Sequence, residues 1–218
     1  MKTIDFYFDF ISPYSYFAWL RLDRLKKQNI NIQLKPVLLA GLLNHWGQKG
    51  PAEIEPKRLE LFRKCLRYAA KNKIDFTVPK FHPFNPLYVL RLSLLEVAGD
   101  NQERVIDALW RAGWQQGIDL GNPDEIVFVL KKAGLPAEEL IEKTFIRENK
   151  QKLKDNTKEA IERGAFGLPT FHLNDEIFWG NDCIEEIELV LAGKDPLDWN
   201  KYHELKERTA SAARQSLS

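Results

Sequence analysis

The apolar residues of this chain change period twice, and few folds accommodate such a switch. Residues 3–10 (TIDFYFDF) alternate, with Ile4, Phe6, Phe8 and Phe10 on one side, and their aromatic content favours a strand. Ser12 and Pro13 follow. Serine is a favoured N-cap, and proline is tolerated at the first helical position because the N–H it lacks has no helical partner there. Through residues 14–27, Phe17, Ala18, Leu20, Leu22 and Leu25 recur near helical period, and Lys26 and Lys27 suit the C-terminal end of the helix dipole. Residues 30–39 then alternate like a strand. Strand, helix, strand with short joints is a βαβ unit, parallel by default.

The middle of the chain is different. From about residue 56 to 163 the period is helical, with helices expected over 58–71, 86–98, 102–116, 124–133 and 136–163. Pro79, Pro83, Gly99-Asp100, Gly121-Asn122-Pro123 and Gly134 mark the breaks. The pattern then reverts to short strands at 170–173 and 177–179 around a turn at Asn174-Asp175-Glu176, and to a helix over 182–192. The tail after Trp199 is charged and then rich in Ser and Ala, which reads as a helix fraying into disorder. The order βαβ, helical block, ββα describes an α/β protein with a thioredoxin-like fold interrupted by a large all-helical insertion. The expected partition is 1–44 with 164–218 for the thioredoxin-like domain and 45–163 for the insertion. Such a fold places its active site at the N-terminus of the first helix.

Composition removes several classes of function. Apolar residues at 44% and charged residues at 29% of 218 describe a globular chain. Lys and Arg total 32 against 31 Asp and Glu, a net charge of +1, so the basic excess of a general nucleic-acid binder is missing. Apolar runs are broken well short of the roughly 20 residues that a membrane helix needs. Asp5 interrupts any secretory h-region, so a cytoplasmic location is expected. Two cysteines, Cys65 and Cys183, support neither a disulfide scaffold nor a cysteine zinc site, and no metal is expected.

Four places can carry chemistry. Ser12 stands where a strand turns into a helix; it is either a plain N-cap or part of an anion site, since a helix N-terminus offers free N–H groups and partial positive charge. A Ser-His-Asp hydrolase is disfavoured, because no G-x-S-x-G elbow is present and His45, His82, His172 and His203 are all remote in sequence from Ser12. Leu168-Pro169 precedes a strand; it is a turn proline or a cis bond that exposes the Leu168 backbone to an extended peptide. Asp182, after Trp179-Gly180-Asn181, caps the last helix or grips an ammonium group. Gln48 and Lys57 lie in polar stretches after the second strand, and Phe81-His82-Pro83-Phe84-Asn85-Pro86 is interhelix packing or the lip of an apolar pocket. Cys65 reads as a core thiol on a helix face with Phe62, Leu66 and Ala69. Cys183 opens a helix beside Asp182, whose charge opposes a thiolate.

Together these segments resemble a known family. The run from Phe6 through Asp9, Ser12, Pro13 and Ser15 to Tyr16 is similar to the opening motif of 2-hydroxychromene-2-carboxylate isomerases, DsbA-like thioredoxin-fold proteins related to kappa-class glutathione transferases. The resemblance continues in His82-Pro83-Phe84-Asn85-Pro86, in residues 164–170 (GAFGLPT) and in Phe178-Trp179-Gly180-Asn181-Asp182. It implies a glutathione-dependent isomerase, with a kappa-class-like transferase as the alternative and a non-catalytic peptide-binding module as a second one. Redox members of this fold carry C-P-x-C where this chain has Ser12-Pro13-Tyr14-Ser15, so a protein disulfide cycle is excluded. The resemblance casts Ser12 as the catalytic residue, donating a hydrogen bond to the glutathione sulfur. Leu168 and Pro169 would meet the cysteinyl part, Asn181 and Asp182 the γ-glutamyl end, and Lys57 and Gln48 the glycyl carboxylate. Gln48 departs from the asparagine usual in kappa-class relatives. Phe84 and Asn85 would wall a small aromatic substrate, and a homodimer is implied.

Overall fold

The computed structural model describes residues 2–209, so the Ser- and Ala-rich end of the expected disordered tail lies outside the described residues. The chain divides into two compact units, one ending at Ile184 and one beginning at Glu185.

The first unit is built on a four-stranded sheet in the order β2-β1-β3-β4. Strand β1 (Thr3–Phe8) pairs parallel to β2 (Asn31–Pro36) and antiparallel to β3 (Thr170–Leu173), which pairs antiparallel to β4 (Glu176–Trp179). Asn174 takes φ 55° in the turn between β3 and β4, a conformation that asparagine tolerates. Between β1 and β2 run α1 (Pro13–Trp19) and α2 (Leu22–Lys26). After β2 come α3 (Leu39–His45), α4 (Glu55–Asn72), α5 (Leu87–Leu92), α6 (Leu95–Ala98), α7 (Gln102–Trp114), α8 (Pro123–Lys132), α9 (Ala137–Phe145) and α10 (Arg147–Glu162). This is a DsbA-like thioredoxin fold with its helical insertion, as the order of periods implies.

Alternation along β1 sorts the two faces. Ile4, Phe6 and Phe8 are fully buried on one side, where Phe6 stacks on Phe171 at 4.8 Å and Phe10 meets Trp110 of α7 at 4.5 Å. On the other side Tyr7 packs with Val37, Leu42, Ala160, Ala165 and Leu168. Asp5 on that face pairs with Lys35 at 3.2 Å and with Arg163, which also reaches Tyr7, Glu159 and His172. Buried charges need such partners, so this network ties β1, β2 and β3 to α10.

Three expected helices are broken. The 14–27 helix ends at Trp19 and restarts at Leu22; 86–98 breaks at Leu94, which is extended at ψ 142°; and 136–163 breaks at Ile146, at ψ 133°. None of these breaks has a proline or glycine to announce it. Tertiary hydrogen bonds compensate instead: Gln102 Nε2 donates to Ser93 O at 2.9 Å, and Asn149 Nδ2 donates to Lys143 O at 2.8 Å. The stretch expected as strand over 30–39 ends at Pro36 and is followed by the unforeseen α3.

The second unit contains most of α11 (Ile184–Leu191) and α12 (Trp199–Lys206). Asp198 caps α12 by accepting from Asn200 N at 3.1 Å and Lys201 N at 3.3 Å. Among the described residues no helix is long and apolar enough to cross a membrane.

Candidate active site

Strand β1 ends at Phe8, and the link from Asp9 to Ile11 delivers Ser12 to the N-cap of α1, with φ −96° and ψ 111°. The Ser12 hydroxyl is buried and has two partners: it accepts from Ser15 N at 3.2 Å and donates to Leu168 O at 3.2 Å. Leu168-Pro169 is a cis peptide, and both residues are buried. The fold thus joins positions 156 residues apart, with Ser12 and the carbonyl of Leu168 in direct contact.

Pro169 O accepts from Gly180 N at 3.0 Å, which brings the Gly180-Asn181-Asp182 turn against the same loop. Gly180 has φ +102°, a conformation that L side chains rarely adopt, and a Cβ there would also displace the Asp182 carboxylate, so glycine is favoured. Asn181 is buried and Asp182 exposed. Helix α11 begins at Ile184, two residues beyond the expected cap at Asp182. Arg21 Nη1 donates to Asn181 O at 2.6 Å and fixes the turn from the far end of α1. Sequence reading missed Arg21, since nothing local distinguishes it from the other basic residues of that segment.

Tyr14, inside the Ser12-Pro13-Tyr14-Ser15 run, also belongs here. Burial pushes its phenol up to about 12, and Cys65, Asp182 and Glu60 act on it in the same direction. From α1 its phenol thus feels the charge of Asp182 in the 180–182 turn and of Glu60 on α4. Cys65 is fully buried on α4, and its thiol is pushed up to about 12 by burial; Leu66, expected on the same buried face, is half exposed. Lys57 is exposed, one turn before Glu60 on the same side of α4. Gln48 is exposed, and its backbone N–H donates to Leu43 O at 2.9 Å. Neither side chain reaches Ser12. Phe84 is largely buried with its ring 6.4 Å from that of His82, while Asn85 is exposed and its Oδ1 accepts from Leu87 N at 3.1 Å.

Asp9 is part of the opening motif, but sequence reading gave it no role of its own. It is completely buried; Oδ1 accepts from Ile11 N at 3.1 Å and Oδ2 accepts from Leu39 N at 2.9 Å. Burial raises its carboxyl to about 7 against the lowering effect of those two bonds. The strand alternation held a clue, because Asp9 falls on the same side as Asp5 and Tyr7, away from the aromatic face. Ser15 Oγ is also buried, with no hydrogen-bond partner among the described residues.

A family model for the DsbA-like thioredoxin domain matches residues 3–192. A 2-hydroxychromene-2-carboxylate isomerase of Sphingobium xenophagum is 32% identical over 196 residues, covering 87% of this chain and 98% of that protein. Human glutathione S-transferase kappa 1 is 30% identical over 210 residues, covering 88% and 92%. Among solved structures, a 2-hydroxychromene-2-carboxylate isomerase aligns with a TM-score of 0.79 at 25% identity, covering 93% of this chain and 98% of that one. With this fold, this serine-for-cysteine site and relatives of matching length, the chain belongs to the 2-hydroxychromene-2-carboxylate isomerase family of DsbA-like thioredoxin proteins, to which the kappa-class glutathione transferases are related.

Proposed function

We propose that the chain is a glutathione-dependent isomerase of the 2-hydroxychromene-2-carboxylate type, interconverting that compound with trans-o-hydroxybenzylidenepyruvate. The observation that carries this reading is the Ser12 hydroxyl, buried at a helix N-terminus and in contact with the Leu168 carbonyl, with no cysteine in the run that redox members use. The donor set fits the tripeptide: a hydroxyl and a helix N-terminus for a thiolate, an exposed carboxylate at Asp182 for an ammonium, and an exposed cation at Lys57 for a carboxylate. When bound, glutathione would supply a thiolate that adds reversibly to a conjugated carbon and is regenerated.

The chain's own part is to bind, orient and charge that thiol. Ser15 N donates to Ser12 Oγ, which leaves the Ser12 proton directed outward, toward Leu168 O in this structure. Turning that single proton to a sulfur needs only rotation of the hydroxyl about the Cβ–Oγ bond, which leaves Oγ in place to accept from Ser15 N. Asn181 and Asp182 hold the amino end, and Leu168 holds the middle. Gln48 and Lys57 meet the glycyl end. Phe84 and Asn85 line the side from which an aromatic acid approaches. A kappa-class-like transferase, favoured by the human relative, uses the same machinery but releases the adduct.

Calorimetry decides the cofactor: glutathione binds with one site per chain, and S-methylglutathione binds less tightly because it cannot form a thiolate. Absence of heat at millimolar glutathione overturns both enzyme readings and leaves the peptide-binding module. Ring opening of 2-hydroxychromene-2-carboxylate then requires glutathione without consuming it, whereas a transferase accumulates adduct. In this reading the chain pairs as a homodimer, and sedimentation at the mass of a single chain refutes the pairing.

A further inference from the structure

We propose that His82, from the helical insertion, is a positioning residue for Ser12; the inference rests on the role given to Ser12 above. The peptide unit between Ile11 and Ser12 is planar, so pinning both of its edges fixes its orientation. Its carbonyl, Ile11 O, meets His82 Nε2 at 2.8 Å, and its N–H donates from Ser12 to Asp9 O at 3.0 Å. The preceding unit is held the same way: Phe10 O accepts from Trp114 Nε1 at 2.9 Å, and Ile11 N donates to Asp9 Oδ1 at 3.1 Å. Two consecutive planes are thus clamped at all four edges, and two of those edges are held by side chains of the insertion. What they determine are the φ and ψ of Ile11, and with them where the backbone N and Cα of Ser12 are placed, the base from which its hydroxyl projects.

The chemistry of the ring supports a purpose beyond filling space. A carbonyl can only accept, so Nε2 carries the proton and Nδ1 is bare. Nδ1 is buried with no hydrogen-bond partner among the described residues. Burial, with the charge of Arg58, holds the imidazole below its ordinary pKa, so it is neutral and stays a single-proton donor at pH 7. The ring lies edge-on to Phe62 at 5.1 Å and to Trp114 at 5.6 Å. A phenylalanine would satisfy that aromatic slot without stranding an acceptor. What imidazole adds over phenyl is the bond to Ile11 O. Phe84 and Asn85 follow two and three residues later, so the proposed acceptor wall and the clamp share one short segment.

The experiment is amide hydrogen exchange of the ligand-free protein at Ile11 and Ser12 in three variants. His82→Phe keeps a ring and has no donor, His82→Gln keeps a donor and has no ring, and His82→Met has neither. Loss of one hydrogen bond speeds opening on the order of tenfold. The expected result is acceleration of about that size at Ile11 and Ser12 in the phenylalanine and methionine variants, with the glutamine variant close to wild type. The bound thiol should titrate higher in the same two variants, with glutathione affinity nearly unchanged. The opposite order, with phenylalanine like wild type and both glutamine and methionine accelerated, makes His82 a packing residue and overturns the proposal. Unchanged exchange in all three overturns it as well. If the phenylalanine variant does not fold, the glutamine and methionine variants still differ only in the donor, and equal exchange in the two is then the overturning result. Wild type that fails to bind glutathione refutes the proposed function, while the exchange pattern still decides the clamp.

Discussion

Replacing Ser12 with alanine should raise the pKa of the bound glutathione thiol by about one to two units and cut turnover at neutral pH by roughly 8- to 25-fold, the change in thiolate fraction at pH 7. A free thiol of this kind titrates near about 8.5, so little thiolate exists at pH 7. A hydrogen bond to a charged acceptor is worth about 1.5–3 kcal/mol, and each 1.36 kcal/mol is about one pKa unit. In the proposed function the serine therefore turns a minor species into a major one, and the N-terminus of α1 adds a smaller contribution of the same sign. The loss should be recovered in part above pH 9, where the thiolate forms unaided. Glutathione affinity should fall much less, because in the proposed function Leu168, Asn181 and Asp182 hold other parts of the tripeptide.

The same hydroxyl also caps α1 through Ser15 N, so the variant should lose about 1 kcal/mol of stability as well. Ser12→Thr, which keeps the hydroxyl, separates the two effects. Thiolate absorbance titrations run beside pH–rate profiles provide the check. A capping role alone would lower stability and leave the thiol titration unmoved. A covalent serine nucleophile would lose activity at every pH and yield a trappable adduct in wild type.

The fold was legible because the switch of period is a property of whole segments, and neighbouring errors cancel over ten or more residues. The parallel β1–β2 pair, the Asn174 turn and the serine at a helix start all follow from local patterns. What stayed hidden is what distance in sequence hides. The break at Ile146 has no breaker residue; it is made possible by Asn149 reaching back to Lys143 O. His82 read as a loop residue, because its partner is a carbonyl 71 positions earlier. Arg21 looked like one of several solvated cations of its helix, although it grips Asn181 O. For His82 and Arg21 the side chain pairs with a backbone group 71 and 160 positions away, and backbone groups carry no sequence signature; the Asn149 bond spans only six residues but likewise ends on a carbonyl.

Asp9→Asn should change the stability of the protein with a sign that depends on pH. Its carboxyl is raised to about 7 from an ordinary value of 3.8. A raised folded pKa means that the native state favours the protonated form. The contribution of this group is therefore fully present below the unfolded pKa and is lost as pH rises through the folded one. Between those limits wild type gives up about 4 kcal/mol, taking 1.36 kcal/mol per unit over the shift. Asparagine cannot ionise and escapes that loss. It carries its own defect, because its NH2 group must face either Ile11 N–H or Leu39 N–H, leaving a buried donor opposed by a donor at a cost of about 1–3 kcal/mol. At pH 8 the variant should accordingly be the more stable protein, by on the order of 1–3 kcal/mol, and at pH 3.5, where wild type has lost little, the less stable one. Urea unfolding of both proteins at a series of pH values measures the difference, and a difference that stays constant from pH 4 to 8 would show that Asp9 does not titrate in this window. The retained carboxylate also says what the site requires. Only an acid offers two acceptor oxygens, and both are used, one on the Phe10–Ile11 peptide, the unit before the one that leads into Ser12, and one on the start of α3. The chain thus tolerates a destabilising charge to hold its serine in place, and the asparagine variant should combine higher stability at pH 8 with a weaker hold on Ser12 and slower turnover.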